Sequence, residues 1–183
     1  MALTPSCQGI RTLNEGCSVH YIRNMNIRMA TETDFDQVLR LINRAFTVER
    51  FFKDEDRMDV PKLQDLFKKG SFLVIEEDGH LDACVYVERN ADRAYLGLLS
   101  VDPARQKNGL GRRLTAAAEE FARETGARFM DLRVVNLRTE LPGIYEKLGY
   151  FITGTEPFPT DQMPITQPCH FVRMTKELGH GGA

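Results

Sequence analysis

Val101-Asp-Pro-Ala-Arg-Gln-Lys-Asn-Gly-Leu-Gly-Arg-Arg-Leu114 joins a strand-like run to an alanine-rich helix, and its reading decides the fold. The residues from Tyr95 to Val101 have the apolar, strand-forming character that leads into such a turn. Gly109 and Gly111 carry no Cβ, so an anion can approach the backbone there closely. A helix starting at this point leaves its first amides without internal partners and adds the positive end of its dipole. Arg105, Lys107, Arg112 and Arg113 crowd the same turn. Strand, glycine turn, helix and local positive charge together predict a phosphate site.

Two familiar phosphate loops do not fit. A Walker loop needs Gly-Lys-Ser/Thr at its end, and that triplet is absent. The dinucleotide fingerprint needs three glycines at fixed offsets, and only two are present here. The pattern that does fit is Gln/Arg-x-x-Gly-x-Gly/Ala, in the form Gln106-Lys-Asn-Gly109-Leu-Gly111.

Composition narrows the partners. A chain of 183 residues suits one domain with a buried core, and 42% hydrophobic residues argue against disorder in its body. With 24 Lys+Arg against 26 Asp+Glu the net charge is −2, so no global field draws the chain to nucleic acid or to an anionic membrane. The basic cluster at the turn is therefore local and suits a small anionic ligand. Cys84 lies in an apolar run and reads as a buried thiol, while Cys7, Cys17 and His20 match no zinc spacing. No metal site is expected. No apolar stretch suits a signal core or a membrane span, so a reduced, cytoplasmic protein is expected.

Outward from the turn the elements follow in order. Asn26 to Met29 reads as a short strand, and Thr33 as the cap of a helix with Phe35, Val38, Leu39, Ile42 and Phe46 at helical spacing. Asp59 and Pro61 open a second helix that Gly70 closes. Phe72 to Glu76 and Leu81 to Glu88 read as strands joined through Asp78-Gly79, a strong hairpin signal. After the strand to Val101, a helix from Gly111 to Thr125 turns Leu114, Ala117, Ala118 and Phe121 inward. Phe129 to Val135 alternates as a strand, a short helix runs from about Pro142 to Gly149, and Tyr150 to Thr155 and Cys169 to Glu177 are the last strands. The central meander predicts a mixed α/β (α+β) sheet rather than a doubly wound one. Residues 1–25 read as an N-terminal extension, 26–178 as the domain and 179–183 as a tail.

A second motif lies downstream: Leu132-Arg-Val-Val-Asn136, then Gly143-Ile-Tyr145-Glu-Lys-Leu-Gly149-Tyr150. Together with the glycine turn it resembles the GNAT superfamily, acyltransferases that use acetyl-CoA. The resemblance covers nearly the whole chain between its ends. It implies the acyl-CoA N-acyltransferase fold: a mixed, mostly antiparallel sheet of about seven strands, splayed between strands 4 and 5, with about four helices. It also implies that Leu99, Ser100 and Val101 bind the pantetheine arm as an added strand does, one of their amides polarising the thioester carbonyl. Amides and side chains from Gln106 through Lys107, Asn108, Gly109, Leu110 and Gly111 to Arg112 hold the pyrophosphate, and Asn136 bonds the cofactor arm. Tyr145 protonates the departing thiolate, a sensible match of a phenol of pKa ~10 to a thiol of pKa ~8.5. Its position on a helix face with Leu141 and Leu148 is the alternative reading, a core aromatic.

Two departures from the family pattern matter. Gln106 stands where Arg is common, which removes one local charge. Tyr95 to Val101 contains no carboxylate to serve as general base, so Glu49, Glu88 and His170 become candidates, with Phe51 expected to help shape the acceptor pocket. The implied reaction is direct acetyl transfer from acetyl-CoA to a primary amine of a small molecule or peptide in a ternary complex. A catalytically weak acyl-CoA sensor and an enzyme for longer acyl groups are the alternatives. Homodimerisation is common in this architecture and is an expectation only.

Overall fold

The computed structural model describes residues 27–53, 55–159 and 165–179. The expected N-terminal extension, with Cys7, Cys17 and His20, and the tail beyond Gly179 lie outside the described residues.

Runs apolar on both sides of the chain build the centre of the sheet. In β2 (Ser71–Glu77), Phe72 and Val74 face one way and Leu73 and Ile75 the other, and all four are buried. β2 turns into β3 (His80–Asn90) through Asp78 at φ 51° and Gly79 at φ 77°, the paired left-handed residues of a type I′ turn. A second tight turn at Ala91, also left-handed at φ 54°, leads into β4 (Arg93–Val101). β1 (Ile27–Met29), β5 (Phe129–Val135), β6 (Phe151–Pro157) and β7 (His170–Glu177) complete a seven-stranded sheet. Its order is β1-β2-β3-β4-β5-β7-β6, with β4 and β5 the parallel pair and the other neighbours antiparallel.

Helices cover both faces. On one, α1 (Phe35–Ala45) and α2 (Val60–Lys69) press Val38, Leu41, Ile42 and Leu63 onto Phe72, Val74, Cys84 and Tyr86. On the other, α3 (Leu110–Glu124) sets Leu110, Leu114, Ala117, Ala118 and Ala122 against Leu73, Val85, Leu96 and Met130. Alanine along this stripe lets the helix axis lie close to the sheet. α4 (Glu140–Glu146) follows β5 and buries Tyr145.

Two helix starts differ from the sequence expectation. Thr31, not Thr33, is the capping residue: with Asp34 it closes a capping box around a 3₁₀ turn, Glu32–Asp34, before α1 begins. Asp34 is fixed there because Arg28 of β1 donates to both its carboxylate oxygens, at 2.7 and 2.8 Å. α4 begins at Glu140, ahead of Pro142, and left-handed Gly149 (φ 92°) follows its last turn.

One feature of the sheet positions everything functional. β4 and β5 pair only from Arg93↔Phe129 to Leu96↔Leu132. Beyond that point β4 stays with β3, where the register slips between Cys84 and Tyr86 and Leu98 adopts φ 51°. This bulge bends β4 away while β5 remains paired with β7 as far as Val135↔Phe171. The two strands diverge and leave a wedge between them.

Candidate active site

The wedge opens into a cleft of about 650 Å³. Leu99 and Val101 of β4 form one wall, Val134 and Val135 of β5 the other, and Tyr145 of α4 lies along its side. The glycine turn contributes Gln106, Gly111 and Arg112 to the lining, and the segment between α1 and α2 contributes Phe46, Glu49 and Arg57.

The turn has the form its sequence predicts. Lys107 and Gly109 are both left-handed, at φ 67° and 77°, and Gly109 is the residue that precedes α3. The first helical bond is donated by the Arg113 amide to the Gly109 carbonyl, at 3.1 Å. The amides of Leu110, Gly111 and Arg112 therefore precede the hydrogen-bonded part of the helix and head its positive end. The side chains of Lys107 and Asn108 are exposed, whereas that of Leu110 enters the core, leaving its amide as its polar contribution. At Gly111 a Cβ would lie 3.8 Å from Leu99 Cδ2 and Val101 Cγ2, in ordinary contact with β4, so alanine fits. Arg105 is turned toward the β2–β3 hairpin, with Glu77 at 3.1 Å and Asp82 at 3.5 Å. Arg112 is the cation of this cluster that lines the cleft.

Tyr145 is 8% exposed, and burial pushes its phenol up to about 12. It meets Tyr150 edge-on at 5.6 Å, which holds the ring in place. Ser100 is fully buried, donates its hydroxyl to the Leu98 carbonyl at 2.9 Å and is not among the residues lining the cleft. Asn136 does not line the cleft. Its side-chain carbonyl accepts from the His170 amide at 2.8 Å, and its own amide donates to the His170 carbonyl at 3.0 Å, tying β5 to the start of β7.

The three carboxylate and histidine candidates separate cleanly. Glu49 is on the cleft wall, 7% exposed, with Arg138 Nη1 at 3.8 Å from Oε1. Burial holds its carboxyl above the usual carboxylate range, against the pull of Arg57, Arg138 and Lys53. Glu88 instead accepts from the Tyr86 hydroxyl at 2.8 Å, away from the cleft. His170 is exposed at the start of β7, and Phe51 is half exposed and packs on Phe52. Neither lines the cleft. Arg57, Arg133 and Arg138 do, and sequence reading passed over all three. Arg138 had a signal, lying two residues past the strand-ending Asn136; Arg57 sits in a segment with no motif.

A shallower basin of about 440 Å³ lies on the sheet face that α1 and α2 leave open, and it shares Tyr95, Leu132 and Arg133 with the cleft. Its charges are largely paired: Arg93 with Asp131 at 2.5 Å and Arg133 with Glu156 at 2.7 Å.

Residues 35–150 match the profile of the acetyltransferase (GNAT) family. The chain belongs to that family. The GNAT fold recurs in solved structures that share little sequence with it. The ribosomal-protein-S18-alanine N-acetyltransferase from Escherichia coli superposes with a TM-score of 0.70 at 19% identity, over 86% of this chain and 96% of that one. Ard1 from Thermoplasma volcanium gives 0.69 at 21%, over 83% and 96%. yncA from Salmonella typhimurium, solved with its cofactor acetyl-CoA, gives 0.67 at 22%, over 87% and 97%. No curated protein sequence matches the chain. Family membership makes this GNAT protein an acetyl-CoA-dependent acetyltransferase, and its seven-stranded sheet with parallel β4 and β5 is the GNAT sheet. Among the described residues, no group of three or more His, Cys, Asp or Glu is placed to hold a metal ion. Nor, among them, is any helix long and apolar enough to cross a membrane.

Proposed function

We propose that this GNAT protein transfers the acetyl group of acetyl-CoA directly to a primary amine, with both substrates bound in the β4–β5 cleft. One observation carries the reading: a single cleft is lined by residues of the glycine turn, by the buried Glu49 carboxyl and by the Tyr145 phenol. The amides of Leu110 to Arg112 and the Arg112 guanidinium hold the diphosphate. The β4 backbone beyond Leu96, unpaired on its β5 side, takes the pantetheine arm by strand addition. Leu99 and Val101 flank the arm, and a neighbouring β4 amide polarises the thioester carbonyl.

Glu49 acts as the base. Its raised carboxyl suits a group that must accept a proton from an ammonium near neutral pH. The amine nitrogen forms the new C–N bond, the C–S bond breaks, and its electron pair stays on sulfur. Glu49 hands the ammonium's first proton to solvent; sulfur takes the Tyr145 proton, and the second proton, shed by nitrogen as the amide forms, returns to the tyrosine by way of Glu49 and cleft water. A phenol at about 12 remains protonated throughout the physiological range, so the acid is always loaded.

Tyr145→Phe tests the assignment. Removing a general acid lowers kcat by ~10²–10⁴-fold, while calorimetric binding of acetyl-CoA is retained. A Phe enzyme with wild-type turnover would remove Tyr145 from the mechanism.

A further inference from the structure

Two tyrosines reach the cleft from opposite faces of the sheet. Tyr145 belongs to the core packed under α3, whereas Tyr95 packs against the cluster that α1 and α2 cover, and both residues line the cleft. Glu49, from the segment joining α1 and α2, lines it as well.

The place of the Tyr95 ring is built by its neighbours. Alternation along β4 puts Tyr95 and Gly97 on one face of the strand. A Cβ at Gly97 would lie 2.7 Å from Tyr95 Cε1 and 3.2 Å from both Cζ and Oη. The ring therefore folds forward over bare Gly97, the first β4 residue past the last β4–β5 pair, Leu96↔Leu132. Gly97 does not have a positive φ, so glycine supplies space here and not backbone freedom. Arg133 of β5 secures the ring from the other side of the wedge. Its guanidinium lies 5.1 Å from the Tyr95 ring and 5.2 Å from that of Phe171, and it donates to Glu156 of β6 at 2.7 Å. It also shares a side-chain hydrogen bond with Tyr95, and a phenol oxygen that accepts one bond can accept another.

Given the transfer proposed above, we infer that the Tyr95 hydroxyl receives the attacking nitrogen and selects primary amines. A neutral primary amine has two N–H groups beside its lone pair. One points to Glu49 and the other donates to Tyr95 Oη, which aims the lone pair at the thioester carbonyl. A secondary amine has one N–H for Glu49 and turns its alkyl group onto the Tyr95 hydroxyl.

Thiol release from saturating acetyl-CoA tests this in the full chain, with paired acceptors: glycine and sarcosine, benzylamine and N-methylbenzylamine, triglycine and sarcosyl-glycyl-glycine. The best primary amine exceeds its own N-methyl partner in kcat/KM by about tenfold or more, the scale of one hydrogen bond. Tyr95→Phe keeps the ring over Gly97 and under Arg133, retains the acetyl-CoA Kd, and lowers that ratio about tenfold. Gly97→Ala displaces the same ring from the opposite partner and lowers the ratio likewise, and it serves if the first variant fails to fold. A purely structural role for Tyr95 would slow both members of a pair equally and leave the ratio unchanged, which overturns the inference alone. So does a wild-type enzyme that accepts N-methyl amines as well as primary ones. Absence of acetyl-CoA binding by calorimetry, or no turnover of any amine by protein that binds it, overturns the proposed function and this inference with it.

Discussion

At the scale of single residues, burial decides chemistry that residue type leaves open. Glu49 and Glu88 are the same side chain near the ends of two elements, yet one is desolvated on a cleft wall and the other is spent on the Tyr86 hydroxyl. A base works only when ionised, so turnover falls as pH drops through the raised Glu49 value, and the acid limb of the kcat profile lies above the ordinary carboxylate range. Glu49→Gln removes that limb and lowers kcat by ~10²–10³-fold at neutral pH. Retention of the wild-type limb in this variant would return the base role to another group. Sequence reading placed Glu49, Glu88 and His170 level with one another, because a carboxylate's exposure and neighbours come from elements distant in the chain. Tyr145 was better marked, since the helix that carries it ends in Gly149-Tyr150.

At the scale of elements, the start of α3 combines two glycines with different jobs. Gly109 holds φ 77°, where a side chain costs ~1–2 kcal/mol, although a Cβ there would meet nothing within 4 Å. Gly109→Ala therefore lowers the melting temperature by roughly 2–8 °C in a chain of this size. It also re-aims the leading amides of α3, and losing one charge-assisted hydrogen bond raises the acetyl-CoA Kd about tenfold or more. Gly111→Ala meets only ordinary contacts with Leu99 and Val101, so its melting temperature stays at the wild-type value. Thermal melts and calorimetry on both variants separate the two roles; equal losses in both would refute the distinction. The turn was legible in advance because its conformation depends on local φ preference and helix-end chemistry. The capping box ahead of α1 was not, because Arg28 of β1 fixes Asp34, and with it Thr31, through a contact made only in the folded sheet.

At the scale of the whole molecule, the proposed function depends on a failure of strand pairing. The β4–β5 ladder stops at Leu96↔Leu132, and the bulge at Leu98 keeps the strands from closing again. Backbone groups beyond that point need a partner, and on the proposed function an extended ligand arm supplies one. Hydrogen exchange of the full chain should show protection gained on adding acetyl-CoA in two stretches, Gly97 to Val101 and Gln106 to Arg112. No change in the first stretch, with binding verified, would place the pantetheine arm elsewhere.

The amino-acid sequence by itself determined the elements, their order and the glycine turn, because periodicity, turn residues and helix ends are local physics. It also located the tyrosine-bearing helix and the β4 run, whose patterns extend over a few residues each. Only the tertiary structure decided which carboxylate faces the cleft, which arginines surround it, and that Asn136 ties β7 instead of lining the wall. Those outcomes depend on burial and on partners from separate segments, and such pairings exist only once the sheet has assembled.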